Sequence, residues 1–249
     1  MYKTTNMKTT PTLTLPPRGG GRRGGNPRSP RIATHVSHLA SQVYYPAFLN
    51  LKGKKTVVVG GGKVAERKIL ALLKAGADVT VISPEITKRI AGEKLKGRIK
   101  HISRQYRRGD SRKAFLVIAA TNSQEINRRV SEDATCLVNV VDTPSLCNFI
   151  VPSVLQRDPL TIAVSTGGIS PALSKSIRKE LEKLYGHEFA EYLRTLKKIR
   201  EKTMKEIKNK KSRADFLKSL ASEEVVKMLR EKGIREVEKV LLSANVLKT

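Results

Sequence analysis

The 249-residue chain is long enough for one large domain or two smaller ones, and 39% hydrophobic residues without a single Trp describe a globular protein. No apolar run approaches the ~20 residues that cross a bilayer, and two cysteines, Cys136 and Cys147, are too few for a disulfide framework and fit no metal-ligand spacing. The net charge of +27 favours polyanionic partners, yet it is spread over the whole chain, with 7 basic and no acidic residues in 1–43, 25 against 12 in 44–186 and 17 against 10 in 187–249. No helix-turn-helix, zinc-finger or RNP-like pattern accompanies it, so nucleic acid is not the expected partner and a small polyanion is served equally well. No membrane is expected, no resident metal site, and a reducing cytoplasm is the natural location.

Residues 1–43 hold Thr-rich and Pro-Gly-Arg-rich runs that bury too little apolar surface to order, so a disordered basic tail is expected. It superficially resembles a transit peptide but lacks the amphipathic helix, and Val43 as an alternative start would make the tail non-native. From Tyr44 the texture changes. Thr56–Val59 is a short β-branched strand, followed by Gly60-Gly61-Gly62-Lys63-Val64-Ala65 and a helix through Ala75 that Gly76 stops. Gly60-x-Gly62-x-x-Ala65 between strand and helix is the dinucleotide-binding pattern: the first glycine turns tightly, the second admits the pyrophosphate to backbone N–H groups, and Ala65 keeps helix and strand close. A second strand, Asp78–Ile82, ends at Ser83-Pro84-Glu85, where an acidic residue ordinarily holds the ribose. Glu85 and Ser83 both stand as candidates. The absence of a following arginine leans towards NAD over NADP.

A short helix (86–95) and strand (99–103) follow, with His101 read as structural. Ala114–Ala120 is a buried strand ending in Thr121-Asn122, which suits both the floor of a cofactor site and the cap of the helix Gln124–Ala134. Val138–Val141 is again a strand buried on both faces, closed by Asp142 at the carboxyl edge where open α/β sheets bind ligands. Taken alone, Asp142 with Pro144 reads more readily as a turn cap, and the stretch upstream is what shifts the balance towards a site. Beyond it, Phe149–Leu155 and Leu160–Ser165 read as two strands joined by Gln156-Arg157-Asp158-Pro159. Thr166-Gly167-Gly168-Ile169-Ser170-Pro171 then opens a helix from Ala172 to Tyr185, with Ser170 either the N-cap or part of a receptor for a substrate carboxylate. Residues 187–249 read as three or four surface-packed helices with a solvated charged face.

Several of these stretches occur in one order: Tyr45-Pro46 with Leu51, the run Val59 to Lys68, Ala119-Ala120-Thr121-Asn122, Asn139-Val140-Val141-Asp142, Phe149-Ile150-x-Pro152-Ser153, and Ser165 to Pro171. Over roughly residues 44–186 the chain resembles the precorrin-2 dehydrogenase module of siroheme synthases. The resemblance implies an α/β fold: a Rossmann-type NAD domain (44–143), a small α+β dimerisation domain (144–186) and a helical C-terminal domain (187–249). It implies a homodimer that oxidises precorrin-2, a polycarboxylate tetrapyrrole, to sirohydrochlorin, with Fe²⁺ insertion an activity of some members. Asp142 falls on the family's functional aspartate. Gly60 to Ala65, Ser83 to Glu85 and Thr121-Asn122 would hold NAD, and Asn139, Thr166, Gly167 and Ser170 the substrate. The rival expectations are an NAD(H)-binding regulatory protein or a nucleic-acid-binding protein on a Rossmann core, and a dehydrogenase of another substrate.

Overall fold

The computed structural model describes residues 44–243, so the expected basic tail lies outside the described residues. Five strands form one parallel sheet: β1 (Lys55–Val59), β2 (Asp78–Ile82), β3 (Ile99–Ile102), β4 (Leu116–Ala119) and β5 (Leu137–Val140), in the order β3-β2-β1-β4-β5. Their uncharged β-branched residues are those the sequence marks as buried on both faces, and Val58, Val79, Val81 and Val117 are fully enclosed. Helices α1 (Lys63–Lys74) and α2 (Lys88–Leu95) cover one face, α3 (Gln124–Asp133) the other. The strand order reverses at β1, which runs between β2 and β4, and such a switch point opens a crevice at the carboxyl edge.

An antiparallel hairpin follows, β6 (Ser153–Arg157) and β7 (Leu160–Val164), and then α4 (Pro171–Leu184). The expected strand Phe149–Leu155 is displaced: Phe149 carries its ring to the α1 face of the sheet, its carbonyl accepts from the Asn139 amide at 3.1 Å, and pairing starts only after Pro152, which has no N–H to give. The strand also runs on through Arg157, leaving Asp158-Pro159 as the turn. Four helices follow among the described residues, α5 (His187–Glu206), α6 (Lys210–Ser219), α7 (Glu223–Lys232) and α8 (Ile234–Ser243). They share a separate core around Phe189, Tyr192, Ile199, Leu229 and Val237, in which Tyr192 donates to the Leu220 carbonyl at 2.5 Å. Burial pushes the Tyr192 phenol up to about 12. Among the described residues no helix is long and apolar enough to cross a membrane.

Candidate dinucleotide and substrate site

The glycine loop is held by its neighbours on both sides. Gly60 N–H donates to the Ile82 carbonyl at 2.9 Å, and Ala120 N–H donates to the Val59 carbonyl at 2.8 Å, so the ends of β2, β1 and β4 are laced together. Gly60 takes φ 116°, and a Cβ there would stand 2.3 Å from the Ala120 carbonyl oxygen. Gly61 is tighter still, with a Cβ landing 1.9 Å from the Glu85 carbonyl oxygen. Gly62 differs: its φ is −78° and a Cβ would meet nothing, so only what enters from outside requires a glycine there. α1 starts at once, and its N-cap Gly62 offers no side chain to the first-turn N–H groups. Those groups and the positive end of the helix dipole face the loop's open side, the arrangement that receives a phosphate.

A cleft of about 490 Å³ opens here, walled by Gly60–Gly62, by Ser83–Thr87 and by Ala120–Ser123, with Tyr106 and Ile126 at its sides. Each wall is braced. Ser83 is buried, its N–H donates to the Ile102 carbonyl at 3.2 Å, and its carbonyl lies 2.9 Å from His101 Nε2. The Pro84 carbonyl accepts from Ser103 Oγ at 3.1 Å, and the Glu85 side chain is exposed. Thr87 N–H donates to the Gly61 carbonyl at 3.1 Å, while Thr87 Oγ1 donates to Glu66 Oε2 at 2.5 Å. That hydroxyl bond holds the Glu66 carboxyl below the usual glutamate range, with Lys63 and Arg89 adding to it against burial. On the other wall, buried Asn127 clamps Thr121, accepting from its Oγ1 at 2.8 Å and donating to its carbonyl at 3.0 Å. Ser123 is the cap of α3, accepting from Ile126 N–H at 3.3 Å, so Thr121 and Asn122 are left to the cleft. Lys63 and Val64 stand in the first helical turn beyond the wall, and Ala65 is fully buried against the sheet.

Asp142 lies one strand over on the same edge. Val141 N–H donates to the Ala119 carbonyl at 2.9 Å, extending the β4–β5 ladder by one residue before Asp142 turns out at φ 59°. Left-handed backbone is uncommon outside glycine, though Asp tolerates it. The turn cap that sequence alone allows is made otherwise: Thr143 N–H bonds Val140, and Cys147 Sγ sits against the Val140 N–H at 3.1 Å and the Val140 and Thr143 carbonyls. The Asp142 carboxylate is exposed and takes no hydrogen bond or ion pair among the described residues.

The structure thus gathers Gly60–Gly62, Ser83–Glu85 and Thr121–Asn122 around one cleft and sets Asp142 beside it. Asn139 is buried under the Asp142 loop and bonded to Phe149, away from the cleft wall. The Thr166–Ser170 loop closes on itself: Thr166 Oγ1 donates to the Ser170 carbonyl at 2.9 Å and accepts its N–H at 3.1 Å, Gly167 N–H donates to Ser165 Oγ, and Ser170 Oγ accepts from Leu173 N–H at 3.2 Å. It lies on the hairpin side of the molecule, outside the cleft. Glu66, Thr87 and Asn127 brace the cleft walls, and sequence reasoning misses all three. Only Asn127 leaves a local signal, an amide four residues after the helix cap where it can bond back to the preceding turn.

A family model described as "Putative NAD(P)-binding" matches residues 47–153, and one for the "Sirohaem biosynthesis protein central" region matches residues 157–184. Siroheme synthase of Methylobacillus flagellatus is 46% identical over 142 residues, 56% of this chain and 30% of that protein. The Nitrosomonas europaea siroheme synthase is 40% identical over 177 residues, 70% of this chain and 37% of that one. The solved structure of SirC, a precorrin-2 dehydrogenase, superposes with a TM-score of 0.68 at 28% identity, over 80% of this chain and 100% of that chain. Over the part they share, the chain is similar to siroheme synthases. It spans well under half the length of these curated relatives. An NAD dinucleotide suits the cleft: Gly60 and Gly61 leave no room for side chains, Gly62 faces the cavity side with space to spare, and the first-turn N–H groups of α1 have no side-chain cap competing for them.

Proposed function

We propose that this protein catalyses the NAD-dependent dehydrogenation of precorrin-2 to sirohydrochlorin. The observation that carries the reading is the Asp142 carboxylate, exposed, unbonded and turned out by a left-handed backbone beside a dinucleotide cleft. The match to siroheme synthases and to the SirC structure supports it. NAD⁺, when bound, supplies an acceptor for the hydride. The protein does the rest. The first-turn N–H groups of α1 bind the pyrophosphate at Gly62, and the braced walls at Ser83–Thr87 and Thr121–Asn127 hold the ribose and nicotinamide halves in fixed positions. One hydride and one proton leave the substrate, and the Asp142 carboxylate takes the proton. Because this group caps nothing, accepting a proton there costs the fold no bond. The charge of +27 draws a polycarboxylate substrate to the site without nucleic acid.

The same carboxylate suits a second task, since Fe²⁺ entering sirohydrochlorin displaces two pyrrole protons that need an acceptor. We also propose that the protein works as a homodimer in the reducing cytoplasm. A two-stranded hairpin is marginal by itself, and Val154, Ile169 and Leu173 are left exposed around it, a face suited to a second copy. A monomer in sedimentation at micromolar concentration would refute that part.

The test is anaerobic turnover of precorrin-2 with NAD⁺, read by sirohydrochlorin absorbance. Asp142→Asn is expected to lower kcat by about 10²–10⁴, the usual worth of a positioned proton acceptor, with NAD affinity unchanged. Folded wild-type protein without turnover sinks the reading. Fe²⁺ added to the product decides the chelatase step.

A further inference from the structure

Helix α1 has two flanks, and the cofactor cleft uses only one. At about 100° per residue, Ala65, Ile69 and Leu72 form the stripe against the sheet. Glu66 lies on one side of that stripe and reaches Thr87 in the cleft wall. Lys68 lies on the opposite side, the side of β4 and β5, where Val141 and Phe149 join the same core cluster as Ala65, Ile69 and Leu72. Asp142 is the residue after Val141. Lys68 is half-buried, yet among the described residues no carboxylate comes within 4.0 Å of its ammonium. Burial pulls its pKa below the ordinary lysine value, Arg67 adds to this, and the more distant Asp142 and Cys147 oppose it. A cation partly stripped of water, with no contact partner, is a group that an incoming anion completes.

We propose that Lys68 is a specificity residue that receives a carboxylate arm of the tetrapyrrole, holding the macrocycle over the edge where Asp142 takes its proton. This rests on the dehydrogenase reading and names the contact that selects its substrate. The charge of the whole chain attracts a polycarboxylate from any direction. Lys68 gives one arm a fixed place, and so fixes which ring position faces Asp142.

The experiment compares wild type, Lys68→Met and Lys68→Arg, with sirohydrochlorin as the probe. Binding is titrated by absorbance without cofactor, and kcat and KM for precorrin-2 and the Kd for NAD⁺ are measured beside it. Lys68→Met keeps the apolar stem and is expected to raise the sirohydrochlorin Kd and the precorrin-2 KM about ten- to a hundredfold, the worth of one charge-assisted bond. NAD⁺ affinity stays at the wild-type value, and Lys68→Arg stays within about threefold for the tetrapyrrole. Wild-type tetrapyrrole affinity in Lys68→Met overturns the proposal. So does a variant that loses kcat with KM intact, since Lys68 then acts through Asp142. If Lys68→Met loses its fold by circular dichroism, Lys68→Arg decides: retained affinity supports the contact and lost affinity overturns it. Wild-type protein that binds sirohydrochlorin without oxidising precorrin-2 sinks the dehydrogenase reading alone. Wild-type protein that binds no tetrapyrrole sinks both.

Discussion

Gly61→Ala should damage this protein more than Gly62→Ala, although the two glycines are adjacent in one motif. The methyl added at Gly61 would sit 1.9 Å from the Glu85 carbonyl oxygen and 2.9 Å from Ser83 Oγ. Ordinary contact begins near 3.4 Å, so the loop and the β2 end must part by about 1.5 Å, and both atoms in the way belong to a wall braced by β3. Parting them stretches the Thr87 N–H to Gly61 bond, now 3.1 Å, and strains the Thr87–Glu66 contact with it. Overpacking of this kind costs about 1–3 kcal/mol, and the lost backbone bond adds about 1 kcal/mol. At about 2–4 °C per kcal/mol for a chain of this size, the melting temperature should fall by roughly 5–15 °C. Gly62 has φ −78° and open space around its missing side chain, so Gly62→Ala should melt within about 2 °C of wild type. Its cost should appear in NAD⁺ affinity, because the methyl occupies the side from which the pyrophosphate approaches. Thermal unfolding by circular dichroism and NAD⁺ titration by calorimetry read the two effects separately. A Gly61→Ala protein as stable as wild type, or a Gly62→Ala protein with full NAD⁺ affinity, would refute the division of labour.

Two further outcomes follow from the bonding. Glu66 has its folded pKa held below its ordinary value of 4.5, chiefly by the Thr87 hydroxyl. A depressed carboxylate adds stability above its unfolded pKa and loses it as pH falls through the folded one. The wild-type melting temperature should therefore decline below about pH 4.5 by an increment that Glu66→Gln lacks, and equal acid slopes in the two proteins would count against the clamp. In the C-terminal helices, Tyr192→Phe removes the donor to the Leu220 carbonyl at 2.5 Å in a buried setting. A loss of about 1–2 kcal/mol is expected in denaturant unfolding, with catalysis unchanged, and an unaltered midpoint would show the bond to be idle.

The parallel sheet was legible because its signal is local. Val57–Val59, Val79–Ile82, Leu116–Ala119 and Val138–Val140 are uncharged runs too short for buried helices, each followed by turn residues. Ser170 announced its helix by local chemistry and accepts the N–H bond that a cap exists to accept, whereas the cap of α3 falls one residue beyond Thr121-Asn122, on Ser123. The start of β6 was not legible. Phe149–Val151 looks like a strand by composition, but its apolar content serves packing on the sheet, and its backbone is claimed by the Asn139 side chain ten residues earlier. The steric need for a glycine at Gly61 was hidden in the same way. Its necessity depends on the Glu85 carbonyl, 24 residues downstream, and a motif of spacings contains no such term.

Lys68 is the clearest case of what only the fold can supply. Within the charged stretch Glu66-Arg67-Lys68, a lysine on an amphipathic helix reads as solvated surface, and Arg67 bears that out by being exposed. The neighbouring flanks of α1 diverge because the sheet continues on both sides of β1, with β2 on the Glu66 side and β4 on the Lys68 side. One helix thereby carries an anion that tightens the cofactor wall and a cation that faces the Asp142 edge. Exchanging the two charges would keep composition, helix propensity and net charge unchanged. It would also put a carboxylate where a substrate carboxylate is expected and an unpaired ammonium against Thr87. A Glu66→Lys, Lys68→Glu double variant should therefore fold poorly and bind neither ligand, although its sequence still satisfies the glycine pattern in full.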